Sequence, residues 1–315
     1  MSKLLFSLQA VLVLSFALFI TSCGEDEPVP TPTPEPMTIA DIVEDTERFS
    51  SLEAALIRAD LLETVRSGEY TVFAPDNDAF ATFLNGAALE DVDIDVLTQT
   101  LLNHVIGAKV ESTGLSNGYV STLATESTTS NPISLQVNID NGVVLNNTVN
   151  VIQADIAADN GIIHEVDAVI AVPSVVDLAV QGDFSILVAA LTRADLTVDF
   201  VGTLSGTGPF TVFAPTDQAF VDLLDSNPNW NELADIPVAT LEAVLSYHVV
   251  AGANVLSSTL TDGQVVTTFQ GSDITINTDG GATITDANGN TVDIVATDVQ
   301  GSNGIVHVIN GVILP

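Results

Sequence analysis

FTVFAPTDQAF, residues 210–220, is said twice in this chain: residues 70–80 read YTVFAPDNDAF, 140 positions earlier. Each copy predicts a strand, a turn and a helix. An apolar, β-branched run ends at Ala-Pro, where proline has no N–H to carry a ladder onward. A helix then starts from a side-chain oxygen, Asp76 or Thr216, as its N-cap. The inward face of that helix reads Phe80, Phe83, Leu84 in one copy and Phe220, Leu223, Leu224 in the other, the i, i+3, i+4 spacing of an amphipathic helix. A second echo confirms the register, because NGIIH at residues 160–164 returns as NGIVH at 303–307, an offset of 143. Two copies of one domain therefore fill most of the 315 residues, enough for a core in each.

Helical periodicity and strand alternation take turns along each copy. Thr38 with Asp41, and Ser174 with Asp177, form a capping-box-like start with the acid at the positive helix end. Helices follow at residues 50–59 and 184–191. A further helix in each copy carries Leu97, Leu101 and His104, or Leu241, Val244, Leu245 and His248, on one face. Short alternating runs predict strands at 133–137, 143–145 and 149–152, then at 265–268, 274–277, 283–285 and 292–295. Turns are expected at Asp140-Asn-Gly142, at Asp279-Gly-Gly281 and at Asn288-Gly289. Helices followed by strands argue an α+β fold. Residues 169–172 run into Pro173 and Ser174 with almost no linker, so a restricted orientation of the two domains is expected.

The paired segments TVFAPTDQAF and NGIVHVINGVI resemble those of the fasciclin-like (FAS1, beta-Ig-H3) domain, in both copies and in order, from about residue 37 to residue 315. The resemblance implies two tandem FAS1 domains, 37–172 and 173–315, each a β-sheet wedge with helices packed along one side. It also implies an extracellular adhesion module that turns over no substrate. A histidine preceded by tyrosine and followed by apolar residues is a family segment linked to adhesion. Here it is Tyr247, His248, Val249 and Val250, and the first copy departs from it with Asn103 before His104. These are the candidate partner-binding residues; the alternative for each is support of the core beneath a helix end.

Composition narrows the partners. Six Lys and Arg stand against 41 Asp and Glu, a net charge of −35. Such a surface repels phosphates, so nucleic acid is excluded as a partner. It also resists anionic lipid, so membrane association needs a covalent or hydrophobic anchor. The single cysteine rules out an intrachain disulfide. A short basic start and an apolar run at residues 11–20 predict a secretory signal over 1–22. Its end, Ile20-Thr-Ser-Cys23, resembles the bacterial lipobox, which implies that Cys23 is acylated and becomes the mature N-terminus. The acidic run Gly24-Glu-Asp-Glu27 resembles the surface-export signal of bacterial lipoproteins. Residues 28–36, PVPTPTPEP, predict an extended spacer, so 23–36 is a tether. The last motif ends at the last residue, and no second anchor is expected behind it.

Nothing in the sequence predicts an enzyme, a cofactor or a metal site. His104 with His248, and His164 with His307, are repeat-equivalent pairs in separate domains rather than one site. No G-x-S-x-G elbow and no phosphate loop occur. Asp91, Asp93 and Asp95 open like an EF-hand loop, but Val96 and Leu102 replace its glycine and its glutamate, so an acidic helix start is the better reading. The expected protein is a lipid-anchored adhesion protein binding cell-surface or matrix protein or polysaccharide, held at the outer membrane and facing the exterior. A carbohydrate-capture lipoprotein and a structural periplasmic protein are the alternatives. No motif fixes an oligomeric state.

Overall fold

A computed structural model describes residues 37–182 and 184–315. The signal peptide, Cys23 and the tether expected at 1–36 lie outside them. The first repeat opens with α1 (Ile39–Asp45), α2 (Ser50–Arg58) and α3 (Leu62–Ser67). The Thr38 hydroxyl accepts from Asp41 N–H, and the Asp41 carboxylate accepts from Thr38 N–H at 2.8 Å, the expected capping box. Strand β1 (Tyr70–Pro75) follows, then α4 (Asn77–Leu84), capped by the Asp76 carboxylate accepting from Ala79 N–H at 2.8 Å. After α5 (Ile94–Leu102) come β2 (Val105–Ile106), β3 (Gly118–Thr125), β4 (Pro132–Asn138), β5 (Val144–Leu145), β6 (Val149–Ala158) and β7 (Gly161–Val166).

The strands form one sheet in the order β2-β1-β7-β6-β5-β4-β3, in which only β1 and β7 are parallel. The wedge expected of each repeat is a single sheet, continuous through the long β6, which pairs with β5 near its start and with β7 along the rest. Two cores result. Val72 and Ile163 face the helices, packed with Ile39, Leu52, Leu56, Phe80 and Leu97. Phe73 and Val166 point the other way, into a second cluster with Ile106, Leu135 and Leu145. Both faces of β1 are thus buried, which is why the TVF run is continuously apolar instead of alternating. Phe73 is fully buried, an arrangement that stabilises the fold by about 2–3 kcal/mol.

The second repeat reproduces this plan. Its helices are α6 (Val175–Gln181), α7 (Ser185–Leu191), α8 (Phe200–Leu204), α9 (Asp217–Asp225) and α10 (Val238–Tyr247). Its strands are β8 (Phe210–Pro215), β9 (Val249–Ala251), β10 (Gln264–Thr267), β11 (Asp273–Asn277), β12 (Thr283–Thr285), β13 (Thr291–Gly301) and β14 (Gly304–Ile309). The order is β10-β11-β12-β13-β14-β8-β9, with β8 and β14 parallel. Helices and strands in each half give the α+β fold expected.

The two halves touch directly. Ser134 on β4 accepts a hydrogen bond from Gln300 N–H on β13 at 2.9 Å. Asn254 donates to the Thr129 hydroxyl at 3.1 Å, and the Asn147 amide donates to the Gln181 carbonyl at the end of α6. Ser302 N–H donates to the Pro173 carbonyl at 2.7 Å, so the connector itself is stitched to the second sheet.

Candidate functional site

The adhesion-linked segment closes α10 and leads into β9. Tyr247 is completely buried, and its hydroxyl donates to the Asp273 carbonyl at 2.7 Å while accepting from Ala287 N–H at 3.0 Å. It thereby ties a helix end to the start of β11 and to the turn between β12 and β13. The His248 ring donates from Nδ1 to the Val244 carbonyl at 2.7 Å and accepts at Nε2 from Ile313 N–H at 3.2 Å. Those two bonds define a neutral ring with one tautomer. Burial pushes its pKa down from 6.5 to about 4. Val249 and Val250 are buried too, paired through β9 with Val212 and Thr211. None of the four side chains is open to a partner. Of the two readings of this segment, core support matches their placement.

His104 occupies the same role in the first repeat. Its Nδ1 donates to the Thr100 carbonyl at 2.7 Å and its Nε2 accepts from Ile170 N–H at 2.8 Å, with the pKa likewise lowered by burial to about 4. The departure from tyrosine has a local reason. Asn103 is fully buried, donating to the Ile170 and Ala171 carbonyls at 3.3 and 3.2 Å and accepting from the Thr122 hydroxyl at 3.1 Å. So Asn103 and His104 together hold the connector to the second repeat, where His248 holds the C-terminal strip.

The NGI-x-H motif turns out to be a fastening device, a role the sequence alone did not disclose. Asn160 accepts from Ile39 N–H at 2.8 Å and donates to the carbonyls of Val65, Arg66 and Gly68, locking the start of α1 to the end of α3. Asn303 does the same through Val175, Leu204 and Gly206. A Cβ on Gly161 would lie 2.0 Å from the Tyr70 carbonyl oxygen, and one on Gly304 2.3 Å from that of Phe210, so only glycine lets the parallel strands meet there. His164 stacks on Phe73 with ring centroids 5.5 Å apart, and His307 on Phe213 at 5.7 Å. The Nδ1 of each accepts a backbone bond, from Asp155 at 3.2 Å and Asp298 at 3.3 Å, while Nε2 donates to the Val110 and Val255 carbonyls. Burial lowers the pKa of both rings.

Thr71 completes the network by donating to Ala108 and accepting from Val110 N–H, and Thr211 by donating to Ala253 and accepting from Val255 N–H. Twice-repeated polar residues were the signal available in the sequence. Their partners, 39 positions away for Thr71 and Val110, were not legible.

Asp93 serves as the N-cap of α5, accepting from Asp95 and Val96 N–H, and Asp91 accepts from Ala88 N–H. Among the described residues no group of three or more His, Cys, Asp or Glu is placed to hold a metal ion. One recess spans both halves, about 450 Å³ in volume and lined by Phe83, Val96, Gln99, Thr125, Ala171 and Ser302 among others. Its walls come from α5, β3 and the connector, so it depends on how the halves are fixed to each other.

The geometry matches known proteins over both halves. The Fasciclin domain model covers residues 47–173 and 182–315. Protein sll1483 of Synechocystis sp. is 38% identical over 141 residues, 44% of this chain and 74% of its own length. Human periostin is 29% identical over 280 residues, which is 86% of this chain but 30% of periostin. The solved FAS1 domain pair of the insect cell adhesion molecule fasciclin I has the same fold, with a TM-score of 0.50 and 21% identity over 85% of this chain and 97% of that one. Proteins of this family serve adhesion or structure and are not enzymes. With the family match present in both repeats and the fold of a FAS1 pair behind it, this chain belongs to the fasciclin-domain family as two FAS1 domains in tandem.

Proposed function

We propose that this protein is a lipid-anchored adhesion protein of the cell exterior that binds cell-surface, matrix or polysaccharide partners through its two FAS1 domains. The observation that carries the reading is the fasciclin match across both repeats, which supports an adhesion-type role in general. Acylation of Cys23 would hold the chain on the outer membrane despite its charge of −35. The acidic residues behind it favour export to the outer face. The proline-rich tether, extended at about 3 Å per residue, lifts the domains clear of the lipid. Because Tyr247, His248, Val249, Val250 and His104 are buried, their part in this reading is to hold the surrounding surface in shape, not to touch the partner.

Two measurements test it. Protease applied to intact cells should remove the full-length protein from an immunoblot. Protection on intact cells with loss after lysis would place the domains in the periplasm and leave the structural alternative. Beads coated with residues 24–315 should stick to cells or matrix. Beads that take up soluble glycan without sticking would replace adhesion by carbohydrate capture.

A further inference from the structure

A sheet edge that is covered in one domain stands open in the other. In the second domain β12 pairs with β13 only at Thr291–Asp293, so residues 296–301 have β14 on one side and need cover on the other. The first domain supplies it. The Ser134 hydroxyl accepts from Gln300 N–H at 2.9 Å and donates to the Asp298 carbonyl at 3.4 Å, and Val299, Gln300 and Gly301 are buried. Asn254 stands beside Gln300, its amide donating to that side chain at 3.0 Å.

In the first domain β6 occupies the place of β13. Asp155 bonds His164 as Asp298 bonds His307, and Asp159 N–H reaches the Met37 carbonyl as Ser302 N–H reaches Pro173. This equivalence puts Ala157 where Gln300 is, and Lys109 where Asn254 is. Strand β5 reaches only Val149 and Asn150 of β6. Beyond it, residues 152–155 and Ala157 are exposed, Ile152 by 53%. Since Ala158 and Gly161 close the β6–β7 hairpin, the alternation of an antiparallel ladder turns the Ala157 N–H and C=O outward. Such an edge is a template for pairing with another chain.

Charge says which chain. Among the described residues Lys109 is the one basic side chain without a hydrogen bond or ion pair. Arg48, Arg66 and Arg193 hold carboxylates, and Arg58 holds the carbonyls of Leu89, Glu90 and Val92. The strand equivalent to β4 is β11, because Val137 pairs with Leu145 as Ile276 pairs with Ile284. In that register Asp273 takes the position of Ser134. It is exposed where Ser134 is covered.

We propose that the β6 edge, with Lys109 beside it, is the docking site for the second domain of another copy of this chain, which presents β11 as β4 is presented within one chain. The Asp273 carboxylate of the incoming copy accepts from Ala157 N–H and pairs with Lys109. Between two strongly acidic copies this one attractive pair fixes the register. The contact is head-to-tail, so it leaves a free edge at each end and builds linear chains of molecules rather than a closed dimer. It rests on the fold alone and stands apart from the adhesion reading.

Sedimentation velocity of residues 24–315, which keep every described residue, tests this over a concentration series to about 1 mM. Expected is association that grows past the dimer as concentration rises. Lys109→Glu should weaken it at least about fivefold with an unchanged melting temperature, since the residue is exposed. Adding Asp273→Lys to the same chain should recover part of it, because each copy then carries the ion pair reversed while the ammonium cannot accept from Ala157 N–H. A chain that stays monomeric, a closed dimer, or association unaffected by Lys109→Glu overturns the proposal. Association lost on removing residues 24–36 but not on charge reversal assigns the edge to the tether and overturns it as well.

Discussion

At Tyr247 a single hydroxyl joins three elements, and its loss can be weighed. Tyr247→Phe leaves the Asp273 carbonyl and Ala287 N–H without their shared partner in the interior, which costs about 1–3 kcal/mol. Thermal or urea unfolding should register that loss, while bead adhesion per folded molecule stays the same; reduced adhesion at unchanged stability would make the tyrosine a contact residue after all. His248 adds a pH dependence. Its folded pKa of about 4 lies below the ordinary 6.5, so between those values the unfolded chain takes up a proton that the native ring refuses. Stability attributable to this ring is whole above pH 6.5, falls as the pH drops towards 4, and falls no further below that. Between pH 6.5 and pH 5, wild type should lose about 1.5 kcal/mol more than His248→Asn, read by urea denaturation at each pH. The carboxylates are common to both proteins and cancel in the comparison.

At the scale of the element, the long strands β6 and β13 show what patterning misses. The alternation of Val149 and Val151 predicts a strand ending near residue 152, yet β6 continues to Ala158. Its second half reads as polar loop because a bulge interrupts it. Asp155 sits at a φ of 61° and Asp298 likewise, with each carboxylate accepting from a serine, Ser112 N–H or Ser257 N–H at 2.8 Å. The bulge turns side chains out of period, so strict alternation fails there. Asp155→Ala removes the bond and keeps a Cβ in the left-handed region, whereas Asp155→Gly removes the bond and relieves that conformation as well. The glycine variant should therefore be the more stable of the two by about 1 kcal/mol in urea unfolding. Strand β3 carries no such alternation of large apolar residues either, since its inward positions are Thr122 and Ala124. Thr122 is inward because it bonds Asn103, a partner 19 positions back.

For the whole molecule, the junction is where the two copies stop being equivalent. The first domain covers β13 and leaves its own β6 open, so separation harms the halves unequally. Residues 37–172 and 173–315, made separately, should each unfold cooperatively. The second should melt about 5 °C lower than in the intact chain, because Gln300 and its neighbours lose the Ser134 contact. It should also self-associate more readily in light scattering, through the bared strand edge. An unchanged melting temperature would mean that the junction contributes nothing to stability.

The sequence by itself determined the repeat, the strand–turn–helix around Ala-Pro, the capping boxes at Thr38 and Ser174, and the α+β class. All of these rest on spacing within a few residues, where periodicity and capping chemistry act. Only the tertiary structure decided that Tyr247 and His248 face inward, that NGI-x-H binds helix ends to strands, and that one edge is covered and its twin is not. The reason is distance along the chain. His248 meets Ile313 across 65 residues and Ser134 meets Gln300 across 166, and no local pattern can encode which of two like surfaces will be buried when such remote segments come together.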